Sequence, residues 1–120
     1  MTETMTLYRP VGTAELELIE KTEWKAFPPR LPEQPIFYPV TNREYACQIA
    51  RDWNVLHNDD HKGFVTRFDV RMDEADRYDR KVVGGREHEE LWVPAEDLER
   101  FNAAIVGKIE VTDQFGAEDD

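Results

Sequence analysis

Two spacings of apolar positions alternate along the chain, a period of two that predicts strands and a period of three to four that predicts helices. Met5-Thr6-Leu7-Tyr8-Arg9 predicts a short first strand, stopped by Pro10. Gly12-Thr13 opens a helix over about 14–23, with Thr13 as N-cap and Glu15 and Glu17 where the helix dipole favours anions. The run Glu15-Leu16-Glu17-Leu18 also alternates as a strand does. Between Trp24 and Pro35 stand Pro28, Pro29, Pro32 and Pro35, and the missing backbone donors predict an extended loop anchored by Trp24 and Phe27. Ile36-Phe37-Tyr38-Pro39-Val40 reads as a buried strand in which Pro39 marks an edge or a bulge. Thr41-Asn42-Arg43-Glu44 has the form of a capping box, the Thr41 hydroxyl capping the helix and Glu44 reaching back. Behind it Tyr45, Ile49 and Trp53 recur every four residues with Ala46 and Ala50 beside them, which predicts a helix over 41–54.

The second half holds more strands. Residues 55–62 read as a polar loop, and the alternation of Phe64, Thr66, Phe68 and Val70 with Val65, Arg67, Asp69 and Arg71 predicts a strand over 63–71. Asp73 to Arg80 has room for one helical turn around Ala75 and Tyr78. Lys81-Val82-Val83 predicts a short strand, Gly84-Gly85 a turn, and Glu87 to Val93 another strand. Pro94 begins a helix whose Leu98, Phe101 and Ile105 share a face, with Gly107 closing it and Ile109 and Val111 in a last strand. The order β-α-loop-β-α-β-β-β-α-β has too few helices between strands for a doubly wound sheet. It predicts an α+β fold of small mixed or antiparallel sheets with two or three helices. Residues 1–115 form one domain in this reading, and 116–120 a frayed acidic tail.

Charge narrows the choice of partners. The 120 residues carry 15 Lys and Arg against 26 Asp and Glu, a net charge of −11. Phosphate contacts need a basic face that releases counterions, so nucleic acid is a poor partner, and an anionic membrane equally so. The single Cys47 excludes an intrachain disulfide framework and fits a reducing compartment. With neither a signal-like start nor an apolar run of ~18 residues, the expectation is a cytoplasmic protein.

No GxGxxG, Walker-type loop, HExxH or GxSxG is present. His57-Asn58-Asp59-Asp60-His61 holds metal-ligating residue types, but these are also common turn residues, so no metal is assigned. Cys47 reads as a buried thiol rather than a nucleophile. The third candidate lies on the late strand, where period-two alternation puts His88, Glu90 and Trp92 on one face and Glu87, Glu89, Leu91 and Val93 on the other.

Leu7-Tyr8-Arg9, the aromatic strand Phe37-Tyr38 running into a helix, and His88-Glu89-Glu90-Leu91-Trp92-Val93-Pro94 together resemble the three-part pattern of the ADP-ribosyltransferase fold. The chain is also similar to short bacterial proteins described as of ADP-ribosylation/crystallin J1 type. The crystallin J1-like hydrolases themselves are larger, helical and metal-dependent, unlike this chain. The resemblance implies an NAD-dependent transferase or NAD-cleaving enzyme, with Glu90 in the catalytic place four residues before Pro94 and His88 two residues before it. It implies that Arg9, with Tyr8 beside it, helps hold NAD, that Tyr38 or Trp92 stacks on nicotinamide, and that Thr41 hydrogen-bonds nearby. Pro39-Val40-Thr41 stands where the family has Ser-Thr-Ser, and His88 where many members have Glu or Gln.

Under that reading the Glu90 carboxylate stabilises the oxocarbenium-like transition state of nicotinamide–ribose cleavage, and Arg9 pairs with the diphosphate or the adenosine ribose. A −11 chain repels a dinucleotide, so a local positive pocket is required, with Arg9, Arg30 and Arg43 as its expected source. The acceptor is open, a protein being one candidate. Two alternatives remain. One is a degenerate transferase-like fold that binds a nucleotide or a protein without catalysis, in an accessory or antitoxin-like role. The other is an acidic protein that shields basic surfaces.

Overall fold

The computed structural model describes residues 3–29, 35–54, 62–82 and 89–116. Within them the order is β1 (Thr4–Val11), α1 (Thr13–Lys21), β2 (Ile36–Phe37), α2 (Arg43–Ile49), β3 (Lys62–Arg71), α3 (Met72–Ala75), β4 (Asp79–Val82), β5 (Glu89–Pro94), α4 (Leu98–Ala103) and β6 (Ile105–Gly116). The α+β class and the antiparallel sheets match the sequence reading. Strand β3 sits between β1 and β6 in one sheet, and β5 between β2 and β4 in the other, all antiparallel.

Val40 joins the two sheets. Its N–H and C=O exchange hydrogen bonds with Tyr8 on β1, 2.7 and 2.8 Å long, while on its other side it bridges Glu90 on β5. Regular strand is confined to Ile36–Phe37, and the segment pairs again at Val40 beyond Pro39, the residue expected to interrupt it. Pro10 does not stop β1, which continues to Val11 against Phe64 of β3. The next donor on the Val40 side of β1 after Tyr8 would be residue 10. Pairing on that side ends with Tyr8, so no ladder bond is lost to the proline.

The faces of this surface have different covers. On the first, Leu7, Val11, Phe37, Phe68, Val70, Leu91 and Val93 pack with Ile19 of α1, Ala75 of α3, and Leu98 and Phe101 of α4. Phe101 lies against Phe37, Phe68 and Tyr78, with ring centroids 5.8 to 6.1 Å apart. On the second, Ala46 and Ala50 pack with Val40 and Val65, and Tyr8, Tyr45, Cys47 and Phe115 pack against them. The small alanines let the helix approach closely.

Local chemistry sets the element ends. Asn42, not Thr41, caps α2, its Oδ1 accepting the Tyr45 N–H at 3.0 Å. After Ile49 the helix widens into a π-type turn over Ala50–Asn54; the side chain of Trp53 lies outside what is described. Gly12, not Thr13, precedes α1, which ends at Lys21. Thr22 then organises the following turn, donating to the Ile19 carbonyl at 2.6 Å and accepting the N–H groups of Lys25 and Ala26. Glu23 and Trp24 adopt φ of 63° and 64°, a left-handed pair that costs on the order of 1–2 kcal/mol per residue. It aims the Trp24 carbonyl at the Ile109 N–H of β6, 2.7 Å away. Phe27 is buried as expected, and Asn102 brackets its N–H and C=O with two 3.0 Å bonds.

The last helix is shorter than its apolar spacing predicts. A 3-10 turn, Ala95–Asp97, follows Pro94, α4 stops at Ala103, and Ile105 already pairs with Val70 in β6. Gly107, expected to close the helix, has φ of 78° inside β6, where the register against β3 slips between Arg67 and Asp69. It supplies the left-handed residue that a bulge needs. Gly116, placed in the tail by sequence, is the last residue of β6.

Candidate functional site

Arg9 lies on the first face of β1, in phase with Leu7 and Val11, and is only 9% exposed. A buried guanidinium needs a partner, and Glu15 at the start of α1 provides it. Arg9 Nε donates to Glu15 Oε2 at 2.7 Å and Nη2 to Oε1 at 3.1 Å, a bidentate pair. The guanidinium carbon also sits 4.6 Å from the centroid of Phe37. Arg9 thus ties α1 to the sheet.

Glu90 lies on the second face. Leu91 and Val93 are fully buried in the core that contains Leu7, so Glu90 and Trp92 project the other way, as the alternation predicts. The Glu90 carboxylate accepts Tyr45 Oη–H on Oε2 at 2.7 Å and Trp92 Nε1–H on Oε1 at 3.1 Å. Burial, then the Glu90 bond and charge, push the Tyr45 phenol up to about 12. Trp92 meets Tyr38 nearly edge to face, centroids 5.5 Å apart and planes at 81°, and Lys81 Nζ lies 4.9 Å over the Trp92 ring. Tyr45, Glu90, Trp92, Tyr38 and Lys81 form a half-exposed shelf beside α2.

The structure therefore separates the residues expected to act together. Tyr8, Tyr38, Trp92 and Glu90 belong to the second face; Arg9 belongs to the first. The Thr41 hydroxyl is engaged within the chain, donating to Glu89 Oε1 at 3.0 Å. His88, Arg30 and the His57–His61 run lie outside the described residues. Arg43 does not join Arg9 in a positive pocket, because it makes its own bidentate pair with Asp113 of β6, at 2.6 and 3.0 Å. Arg9 and Glu90 thus project from opposite faces of the joined sheets, each engaged by groups of its own chain.

Two further polar clusters have structural explanations. Glu74 on α3 is 3% exposed and accepts Tyr78 Oη–H at 2.6 Å and Arg100 Nε–H at 3.1 Å. Burial alone would raise its carboxyl, but the bonds from Tyr78 and Arg100 and the nearby Arg77 outweigh it and hold the group low. Cys47, expected to be buried, is only half-buried; burial, and then the Asp113 carboxylate, push its thiol up. Among the described residues no cluster of His, Cys, Asp and Glu has the arrangement of a metal site.

The partners Glu15 and Tyr45 escaped the sequence reading. Glu15 carried a usable signal, since an arginine in phase with Leu7 and Val11 must be buried and must find an anion. Tyr45 carried none, because its meeting with Glu90 depends on how α2 lies across the sheet. No helix of the described residues is long and apolar enough to cross a membrane. Comparisons with protein-family models, curated proteins and solved structures gave no significant match, so the family resemblance rests on the short motifs around Arg9, Phe37 and Glu90 alone.

Proposed function

We propose that this chain is a non-enzymatic protein-binding module whose contact surface is the shelf of Tyr38, Trp92, Glu90 and Lys81. The observation that carries this reading is that Arg9 and Glu90 project from opposite faces of the sheet, each engaged by groups of its own chain. Cleavage of NAD would need a carboxylate at the ribose and a cation at the diphosphate on one ligand. Here the Arg9 fork is filled by Glu15, and the net charge of −11 opposes a dinucleotide.

A partner would meet the shelf by its face rather than by adding a strand. The outer strand β4 is four residues long, fully exposed, and carries Arg80 and Lys81, while β6 is bulged and its Ile109 N–H is taken by Trp24. Short charged edges and bulges both discourage strand addition. Tyr and Trp, by contrast, are the residues most enriched at protein-binding hot spots. Incubation with NAD, followed by proton NMR for free nicotinamide, tests the reading. The expected result is no release by wild type or by Glu90→Gln; release by wild type that Glu90→Gln abolishes would restore the transferase reading.

A further inference from the structure

We infer that the Tyr38–Trp92–Glu90 corner receives a cationic side chain, arginine or lysine, from a basic protein partner. This rests on the protein-binding reading and gives it a ligand chemistry. The two rings stand at 81° with 5.5 Å between centroids, forming two walls of an angle, and Tyr38 is 37% exposed. The Glu90 carboxylate joins that angle through its bond from Trp92 Nε1. An aromatic face next to a carboxylate is the surface that attracts ammonium and guanidinium groups.

Two observations make a cation the favoured occupant. The first is the state of Glu90. Glu90 receives the neutral donors of Tyr45 and Trp92 and, among the described residues, forms no ion pair, a state it shares with the half-buried Asp69 and Glu89, each of which accepts from a threonine. What sets Glu90 apart from them is the indole that donates to it, because a carboxylate beside an aromatic ring is a surface that attracts cations. The second is Lys81. It stands directly across from Glu90 in the strand register, yet its ammonium lies over the Trp92 ring, 4.9 Å from the centroid. The chain thus places its own cation on this face. Lys81 comes from an exposed edge strand, so a partner's side chain can take over its position. The net charge of −11 supplies the long-range attraction for a basic partner, and the corner supplies the short-range selection.

The test uses the full chain and two acetylated octapeptides, one alternating Arg and Ser, the other Glu and Ser. The readout is the indole N–H cross-peak of Trp92 in nitrogen–proton NMR spectra, assigned by its disappearance in Trp92→Phe. The arginine peptide is expected to shift this peak saturably and the glutamate peptide to leave it in place. Tyr38→Ala should weaken binding by about two- to five-fold, the range of an exposed cation–π contact. Lys81→Met, which removes the resident cation, should tighten binding more than Lys21→Met on α1, although both change the net charge equally. Absence of a shift, or binding indifferent to Tyr38→Ala with Lys81→Met and Lys21→Met equivalent, overturns the inference in favour of diffuse attraction to an acidic surface. The two levels separate cleanly: nicotinamide release from NAD overturns the protein-binding reading, whereas inertness toward both NAD and the arginine peptide overturns only this inference.

Discussion

Removing Glu15 tests whether Arg9 is a structural residue or one held ready for a ligand. In Glu15→Ala the guanidinium stays on the core face, 9% exposed, with Phe37 as its remaining neighbour. Breaking a fully buried ion pair by removing one partner costs about 3–5 kcal/mol. The Glu15 side chain is 23% exposed, so water can reach the gap, and the expected loss falls to about 2–3 kcal/mol. Arg9→Met should cost less, about 1 kcal/mol, because methionine packs on Phe37 and the freed Glu15 can turn toward solvent. The double variant Arg9→Met/Glu15→Leu leaves no buried charge and should lie within about 1 kcal/mol of wild type.

Urea unfolding followed by tryptophan fluorescence measures all three, with the slope on denaturant checked for constancy. The order matters more than any single value, since the double-mutant cycle isolates the pair. A Glu15→Ala loss below about 0.5 kcal/mol would refute the reasoning, because a change that small is ordinary for a surface position. Arg9 would then not depend on Glu15, and its fork would be open to an external anion.

Further predictions follow from other named contacts. The folded Glu74 carboxyl is held below its ordinary 4.5, so its contribution is fully present above that pH and is lost as pH falls through the folded value. Glu74→Gln should therefore lower stability at neutral pH and converge on wild type in acid, as read by urea midpoints at several pH values. For Tyr45 the sign is reversed: an acid raised from 10.0 to about 12 loses stability between those values, where only the unfolded phenol ionises. Ultraviolet titration of phenolate should show this late step, and Glu90→Gln should lower it only part of the way, because burial is the larger cause. Phe101→Ala should cost about 3–5 kcal/mol in the same urea assay, since it empties a ring site among Phe37, Phe68 and Tyr78.

Where local chemistry decides an element, the sequence reveals it. The alternation over 63–71 is β3 to within a residue, because Phe64, Thr66, Phe68 and Val70 are buried while Arg67 and Arg71 between and after them stay exposed. The strand at Ile36–Phe37 and the helix from residue 43 onward are visible in the same way, from their apolar residues. Prediction failed where a tertiary contact outbid a local preference. Thr41 is a good N-cap by type, but Glu89 captures its hydroxyl and leaves the cap to Asn42. Ile105 continues the helical spacing of Leu98 and Phe101, but pairing with Val70 draws it into β6, and Gly107 serves a bulge instead of a helix end.

The candidate site teaches a sharper form of the same point. A motif read along the chain specifies residue types and distances in sequence; in a sheet it also fixes which face each side chain takes, and the two statements can conflict. Leu91 and Val93 commit Glu90 to the side away from the core, and Leu7 and Val11 commit Arg9 to the side toward it. Both facts are present in the alternation of two short segments. What the alternation does not contain is that the two segments share one core, which follows only once Val40 has joined β1 to β5. With that link in place, the parity of Arg9 and Glu90 is opposite, and a substitution that keeps the register cannot bring them together. Uniting them would require a one-residue slip of β5, which would bury Glu90 and Trp92 and expose Leu91 and Val93. The burial of those two residues is the reason Glu90 and Trp92 stand on the shelf rather than in a cleft shared with Arg9.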